Sequence, residues 1–293
     1  MNNMKKVIFP IVIMIFIVFT AINTSANILY VDNDGTQDYN SIQGAVNNAS
    51  KGDTIFVFNG TYYENIVINK SIILEGESIT NTIIDGGGSS NVIHITTNGV
   101  TVTRFTITNS GGAIPNAGIN VISDYNTISK NIMINNFYGI MMFDASNNVI
   151  SNNIITSNNQ CGICMIGSPN NIIRENIMEY NTYNGIGIFW TSDNNVITKN
   201  IMKNNGYCGI NLVVSSENDI RNNTIKDNTV GIHVPAKYEN HISDNVISNN
   251  NNNIENEILL PFDFEVLVYV AICIIIVLIV IIVLLLYFRK KRK

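Results

Sequence analysis

Charge is what this chain of 293 residues has least of. Only 13% of its residues are Asp, Glu, Lys or Arg, about half the usual quarter. Clustered positive charge is scarcer still. Seven of the 17 basic residues sit at the two ends (Lys5, Lys6 and Arg289 to Lys293), leaving 10 against 22 acidic residues. An acidic middle without a basic stripe excludes nucleic acid as the partner. Four cysteines in this length exclude a disulfide scaffold. The repeating middle of the chain also lacks the 3.6-residue apolar period of a helical repeat and the leucine signature of a leucine-rich one. What fills the space is Asn and Ile, 50 and 53 of them. Asn alone would suggest a disordered polar tract. Here the two alternate at fixed spacing, which argues for ordered structure.

The two ends read as addresses. Residues 1–26 have a basic start (Lys5, Lys6), an apolar run from Val7 to Thr20 and small residues at Thr24-Ser25-Ala26, the pattern of a secretory signal cleaved after Ala26. An uncleaved anchor is the alternative. Val266 to Phe288 is a run of 23 residues without charge, and as a helix it would cover ~35 Å, enough for a ~30 Å hydrocarbon core. Residues 289–293 are all basic, which places that end in the cytoplasm. The expectation is a single-pass protein of the cell membrane, with residues 27–260 outside, a transmembrane helix at 266–288 and a cytoplasmic tail at 289–293.

The middle is a repeat. A Gly-Ile pair recurs at Gly118, Gly139, Gly162, Gly185, Gly209 and Gly231, in steps of 21 to 24 residues. Each unit carries three Asn residues five apart: Asn126, Asn131 and Asn136, then Asn148, Asn153 and Asn158, and so on to Asn240, Asn245 and Asn250. Periods near 20–25 mean a solenoid. Each unit has three short segments whose apolar positions follow period 2, such as Ile186 and Ile188, Ile197 in Asn-x-Ile, and Met202 in Asn-x-apolar. Three short strands per coil describe a parallel β-helix, an all-β solenoid with regular coils over about 118–254. Asn suits left-handed bends, and equivalent Asn side chains stacked ~4.8 Å apart can hydrogen-bond along the stack. Val100, Val102, Phe105 and Ile107 occupy the Asn and Ile places of an earlier coil. Ser41 to Ser50 reads as a short helix with Ile42, Ala45, Val46 and Ala49 on one side, an N-terminal cap for the open end.

The segments Tyr30-Val31-Asp32-Asn33-Asp34-Gly35, Asp38-Tyr39-Asn40-Ser41-Ile42-Gln43, Gly52-Asp53-Thr54-Ile55 and Gly60-Thr61-Tyr62-Tyr63-Glu64-Asn65 resemble the opening of pectin-lyase-like right-handed β-helix proteins. The later Asn-x-Ile-x-x-Asn coils resemble NosD-type repeats and the carbohydrate-binding and sugar-hydrolase (PbH1) repeats. The resemblance covers about residues 28–254. It specifies the fold far better than the function, since this fold hosts lyases, hydrolases, adhesins and copper-related factors.

The resemblance also implies where chemistry would sit: on the outer face of the strand that carries Gly-Ile-x-apolar. Alternation gives two outward rows there. One is Asn120, Met141, Cys164, Gly187, Asn211 and His233; the other is Ile122, Phe143, Ile166, Phe189, Val213 and Pro235. Lyases of the fold are expected to hold calcium-binding acids and an Arg or Lys base there. Glycoside hydrolases need two carboxylates ~5–9.5 Å apart. Neither row holds a carboxylate or an Arg, so no catalytic residue is assigned. Phe143, Phe189 and Trp190 are the candidate sugar-stacking residues. Met141, Cys161 and Cys164 are the candidate soft-metal ligands, suited to copper(I), the ion that the NosD resemblance implies. On an extended strand Cys161 and Cys164 would lie ~10 Å apart, too far for a disulfide. Asp32-Asn33-Asp34-Gly35 looks like half a calcium loop. The expected function is a membrane-anchored cell-surface protein, structural or binding carbohydrate or another envelope component. The alternatives are a polysaccharide lyase or glycoside hydrolase and a NosD-like copper accessory factor.

Overall fold

The computed structural model describes residues 26–255. The predicted span at 266–288, the basic tail and all of the predicted signal except Ala26 lie outside them. No helix of the described residues is long and apolar enough to cross a membrane.

The described chain is one parallel β-solenoid. Three sheets run along it, all of them parallel in every strand pairing. The first has ten strands, from Ile28–Val31 to His241–Ser243. The second and third have nine each, from Gly60–Tyr63 to Val246–Ser248 and from Ile66–Ile68 to Asn252–Glu255. Each sheet takes one strand per coil, so neighbours in a sheet are one turn apart in sequence. Val149–Ser151 pairs with Ile172–Arg174, Ile154–Thr156 with Ile177–Glu179, and Tyr138–Phe143 with Ile163–Ile166. The period-2 apolar positions point inward and are fully buried, among them Ile173 and Ile197, Met178 and Met202, and Ile186 and Ile188. The predicted cap is a helix over Ile42–Asn48. Ser41 caps it, and both oxygens of Glu64 accept its first free N–H groups, from Ile42 and Gln43 at 2.8 Å. Ile42, Ala45 and Val46 close the apolar end of the coil.

The three Asn columns are hydrogen-bonded ladders, and the second shows the rule. Asn176 Oδ1 accepts from the backbone N–H of Asn153 at 3.0 Å and from its Nδ2 at 2.9 Å. Asn176 Nδ2 in turn donates back to the Ile150 carbonyl at 2.9 Å and onward to Asn200 Oδ1 at 3.0 Å. The same links recur in the columns that contain Asn148 and Asn181. Upstream, where Asn is lost, Val100 and Phe105 keep the backbone half of the link, donating to Asn126 and Asn131.

The left-handed bends, however, are not at the ladder Asn. They fall one residue before it, at Tyr125, Lys130, Glu175, Tyr180 and Lys199 among others. A non-glycine residue in this region costs ~1–2 kcal/mol. The ladder bonds offset that cost, and the bend position, though often Asn as at Asn135, Asn147 and Asn152, also takes Tyr, Lys, Ser and Glu. Bend geometry also governs which charges meet across coils. Glu179 and Lys203, on adjacent strands, are paired at 2.8 Å as alternation predicts. Glu175 and Lys199 sit on the bends and do not pair; Glu175 turns to Arg174 at 2.9 Å.

The Gly-Ile signature has a steric cause. A Cβ on Gly185 would stand 2.6 Å from the Gly209 carbonyl oxygen of the next coil, and one on Gly139 2.5 Å from that of Gly162. Backbones approach too closely there for any side chain.

Two substitutions test this frame. Asn176→Ala strands the Asn153 N–H and the Ile150 carbonyl, each worth ~1–3 kcal/mol when buried and unpaired, and should lower unfolding free energy by ~2–6 kcal/mol in a denaturant titration. Gly185→Ala should cost ~1–3 kcal/mol, as overpacking does. A loss below ~1 kcal/mol for Asn176→Ala would show that the ladder does not hold the coils.

Candidate functional site

Along the outer face of the third sheet, register joins nine residues into one row: Val67, His94, Asn120, Met141, Cys164, Gly187, Asn211, His233 and Glu255. The six positions expected from alternation are all in it. It extends two coils further upstream and one downstream, and the downstream extension supplies the carboxylate that the six-coil reading missed. The signal for Glu255 was the break in the repeat after Asn250, where the Gly-Ile pair gives way to Asn253-Ile254.

The middle of the row does not face water, which corrects the expectation. Met141, Cys164, Asn211 and His233 are all buried. A second apolar cluster, separate from the interior core, covers them. It contains Ala117, Tyr138, Met141, Cys161, Cys164, Phe189 and Val213, with Phe137, Ile166 and Trp190 packed against it. Phe189 is 5% exposed, so it offers no open ring face to a ligand. Gly187 explains why. With no side chain there, the Phe189 ring folds back over the row, and a Cβ on Gly187 would stand 2.5 Å from it. Of the other predicted stacking residues, Phe143 is 46% exposed and Trp190 is half-buried at the same margin of the face. At the opposite margin, Tyr183 stacks on Tyr207 with ring centroids 5.2 Å apart. That pair escaped the sequence reading because it precedes the strands, outside the two outward rows.

The three predicted metal ligands come together, in the outer cluster. Their arrangement differs from an extended strand. The strand begins at Ile163, and the chain bends at Gly162. Cys161 therefore turns back into the outer cluster, where Asn184 Nδ2 donates to its Sγ at 3.4 Å. The neighbouring Cys164 thiol and the Asn184 amide hold the Cys161 thiol below the usual range against the effect of burial. Cys164, as donor and buried, is pushed well above it. Burial also raises Tyr138 and Cys208. A soft cation would have to displace both donors to Cys161. Among the described residues no group of three or more His, Cys, Asp or Glu converges as a metal site. In the suggested calcium loop, Asp32 and Asp34 accept N–H groups of their own turn, from Asp34 and Thr36.

At the downstream end the row is polar. His233 Nδ1 lies 2.8 Å from Asn211 Oδ1, and His233 is in register with Glu255. Asn211 Nδ2 and Glu255 Oε2 are buried without a hydrogen-bond partner among the described residues. The turn acids Asp124 and Asp193 are structural: each accepts the backbone N–H of a serine one coil later, Ser146 and Ser216, at 2.7 Å.

Gly187→Ala should displace the Phe189 ring and destabilise the protein by ~1–3 kcal/mol, read as a lower thermal midpoint. An unchanged midpoint would mean that the face is not sealed by that ring.

Solved structures with the same fold act on polysaccharides. The chain resembles the catalytic domain of the GH87 α-1,3-glucanase in complex with nigerose, with TM-score 0.57 and 18% identity over 70% of this chain and 42% of that one. It resembles the periplasmic alginate epimerase AlgG, as a double mutant, with TM-score 0.55 and 14% identity over 66% of this chain and 50% of that one. It resembles alginate lyase from Paenibacillus sp. str. FPU-7 with TM-score 0.53 and 13% identity over 79% of this chain and 98% of that one. The chain thus spans about half or less of the epimerase and the glucanase. At such identities the likeness is one of fold. No curated protein matches the chain. The family described as right handed beta helix region matches over residues 18–193 and 117–257, and with its three parallel sheets and Asn ladders the chain belongs to that right-handed β-helix family.

Proposed function

We propose that the protein is a membrane-anchored cell-surface β-helix that binds an envelope or extracellular polysaccharide without turning it over. The observation that carries this reading is the pair of aromatic margins on the third sheet. Phe143 and Trp190 border one side of the face, and the stacked Tyr183 and Tyr207 border the other. Sugar rings present apolar faces that stack on such side chains, and a low-charge patch bordered by aromatics suits a polar polymer. Between the margins the central coils hold Met141, Cys164 and the Phe189 ring, not the paired acids that hydrolysis needs. Anchoring rests on the uncharged run at 266–288 and its basic flank.

A glycan array with the full chain in detergent, run alongside reducing-end and unsaturated-product assays, tests the reading. Binding without product is expected. Phe143→Ala combined with Trp190→Ala should weaken it about tenfold or more, the ~1.4 kcal/mol expected of lost interface anchors. Undiminished binding by the double variant would overturn the assignment of this face. A second reading, an enzyme acting on polysaccharide, is favoured by the buried column Asn211–His233–Glu255. It requires product from the wild-type chain and its loss in His233→Ala.

A further inference from the structure

The outer face of the second sheet is a surface apart from the aromatic-bordered one. Its middle row runs Ile132, Ile154, Ile177, Ile201, Thr224 and Val246, in unbroken register over six coils. Ile201 is 36% exposed and Val246 62%, and the first three are half-buried. Polar and charged residues line this apolar row on both sides. On one side stand the left-handed bend residues Lys130, Asn152, Glu175, Lys199, Asn222 and Asp244. On the other stand Ile134, Thr156, Glu179, Lys203, Lys226 and Ser248.

The order of these residues is symmetric about one point, midway between the coils of Ile177 and Ile201. Counting outward along the bends, Glu175 mirrors Lys199, Asn152 mirrors Asn222 and Lys130 mirrors Asp244. In the middle row Ile177 mirrors Ile201, Ile154 mirrors Thr224 and Ile132 mirrors Val246. In the far row Glu179 mirrors Lys203, and Lys226 mirrors the neutral Thr156. Apolar positions thus repeat and charges invert. A surface of that kind is complementary to itself under a two-fold rotation about an axis along the strands, which reverses the order of the coils and keeps each row against its own copy.

We propose that two copies of the chain pair through this face, with their solenoid axes antiparallel and the two-fold axis between the coils of Ile177 and Ile201. Glu175 then meets Lys199 of the second copy, and Lys130 meets Asp244 of the second copy. Lys130, Lys199 and Asp244 have no ion-pair partner among the described residues, and the pairing supplies one. Glu179 and Lys203, already 2.8 Å apart within one chain, close with their copies into a ring of four alternating charges. No two like charges of the three rows come opposite each other. The third sheet stays open, so the inference does not depend on a carbohydrate ligand.

Sedimentation equilibrium of the full chain in detergent tests the pairing. The wild type should be dimeric and should dissociate more readily as salt is added, since exposed charges are screened. Lys199→Glu and Glu175→Lys should each raise the dissociation constant about tenfold or more, because either sets like charges opposite twice in each dimer. Mixed in equal amounts, the two variants should recover most of the wild-type affinity, as each supplies the sign that the other lacks. That rescue depends on the antiparallel register and would not arise from a dimer held through the predicted span. A monomeric wild type, or a mixture no more dimeric than its components, would overturn the proposal.

Discussion

Everything in this fold depends on a side-chain amide replacing a missing backbone partner. Where a coil turns between sheets, its backbone N–H has no strand to pair with, and burial would make that loss costly. In each regular coil the N–H of the ladder Asn finds the Oδ1 of the Asn one turn later, as Asn171 N–H does with Asn195 at 2.7 Å. That contact fixes the height of each coil on the next. The sheets then fall into register, and the Ile and Met rows stack in the interior without gaps.

Much of this is legible in the sequence because the constraint is periodic. Asn five residues apart, Ile or Met two after the first and second of each trio, and a Gly opening the third strand recur often enough to give three strands per coil and their inward faces. The short helix over Ile42–Asn48 is equally readable, from its one apolar side. The bend residue is not, since Tyr125, Lys130 and Glu175 share left-handed geometry but no chemistry. Nor is the role of glycine at Gly139 and Gly185, because the atom it makes room for belongs to the next turn.

The candidate site shows the opposite balance. Alternation places Met141, Cys164 and His233 in one row, as the register confirms. Alternation cannot say whether an outward row meets solvent. On this face Gly187 lets Phe189 lie across its neighbours, so an aromatic expected at the surface becomes part of a second small core. Sequence distance misleads at Cys161 and Cys164 in the same way, since with a bend at Gly162 both enter one outer cluster.

The ladders also run in one direction only. Each ladder Oδ1 accepts a backbone N–H from the turn before it, and each ladder backbone N–H donates to the Oδ1 of the turn after it, so one whole period presents at its far end what it needs at its near end. Length is therefore not fixed by the chemistry of the coil. A gene that duplicates one 22- to 24-residue unit in frame adds a turn of ~4.8 Å without inventing a contact. The length of such a solenoid can thus evolve by copying while its cap and its outer face stay as they are.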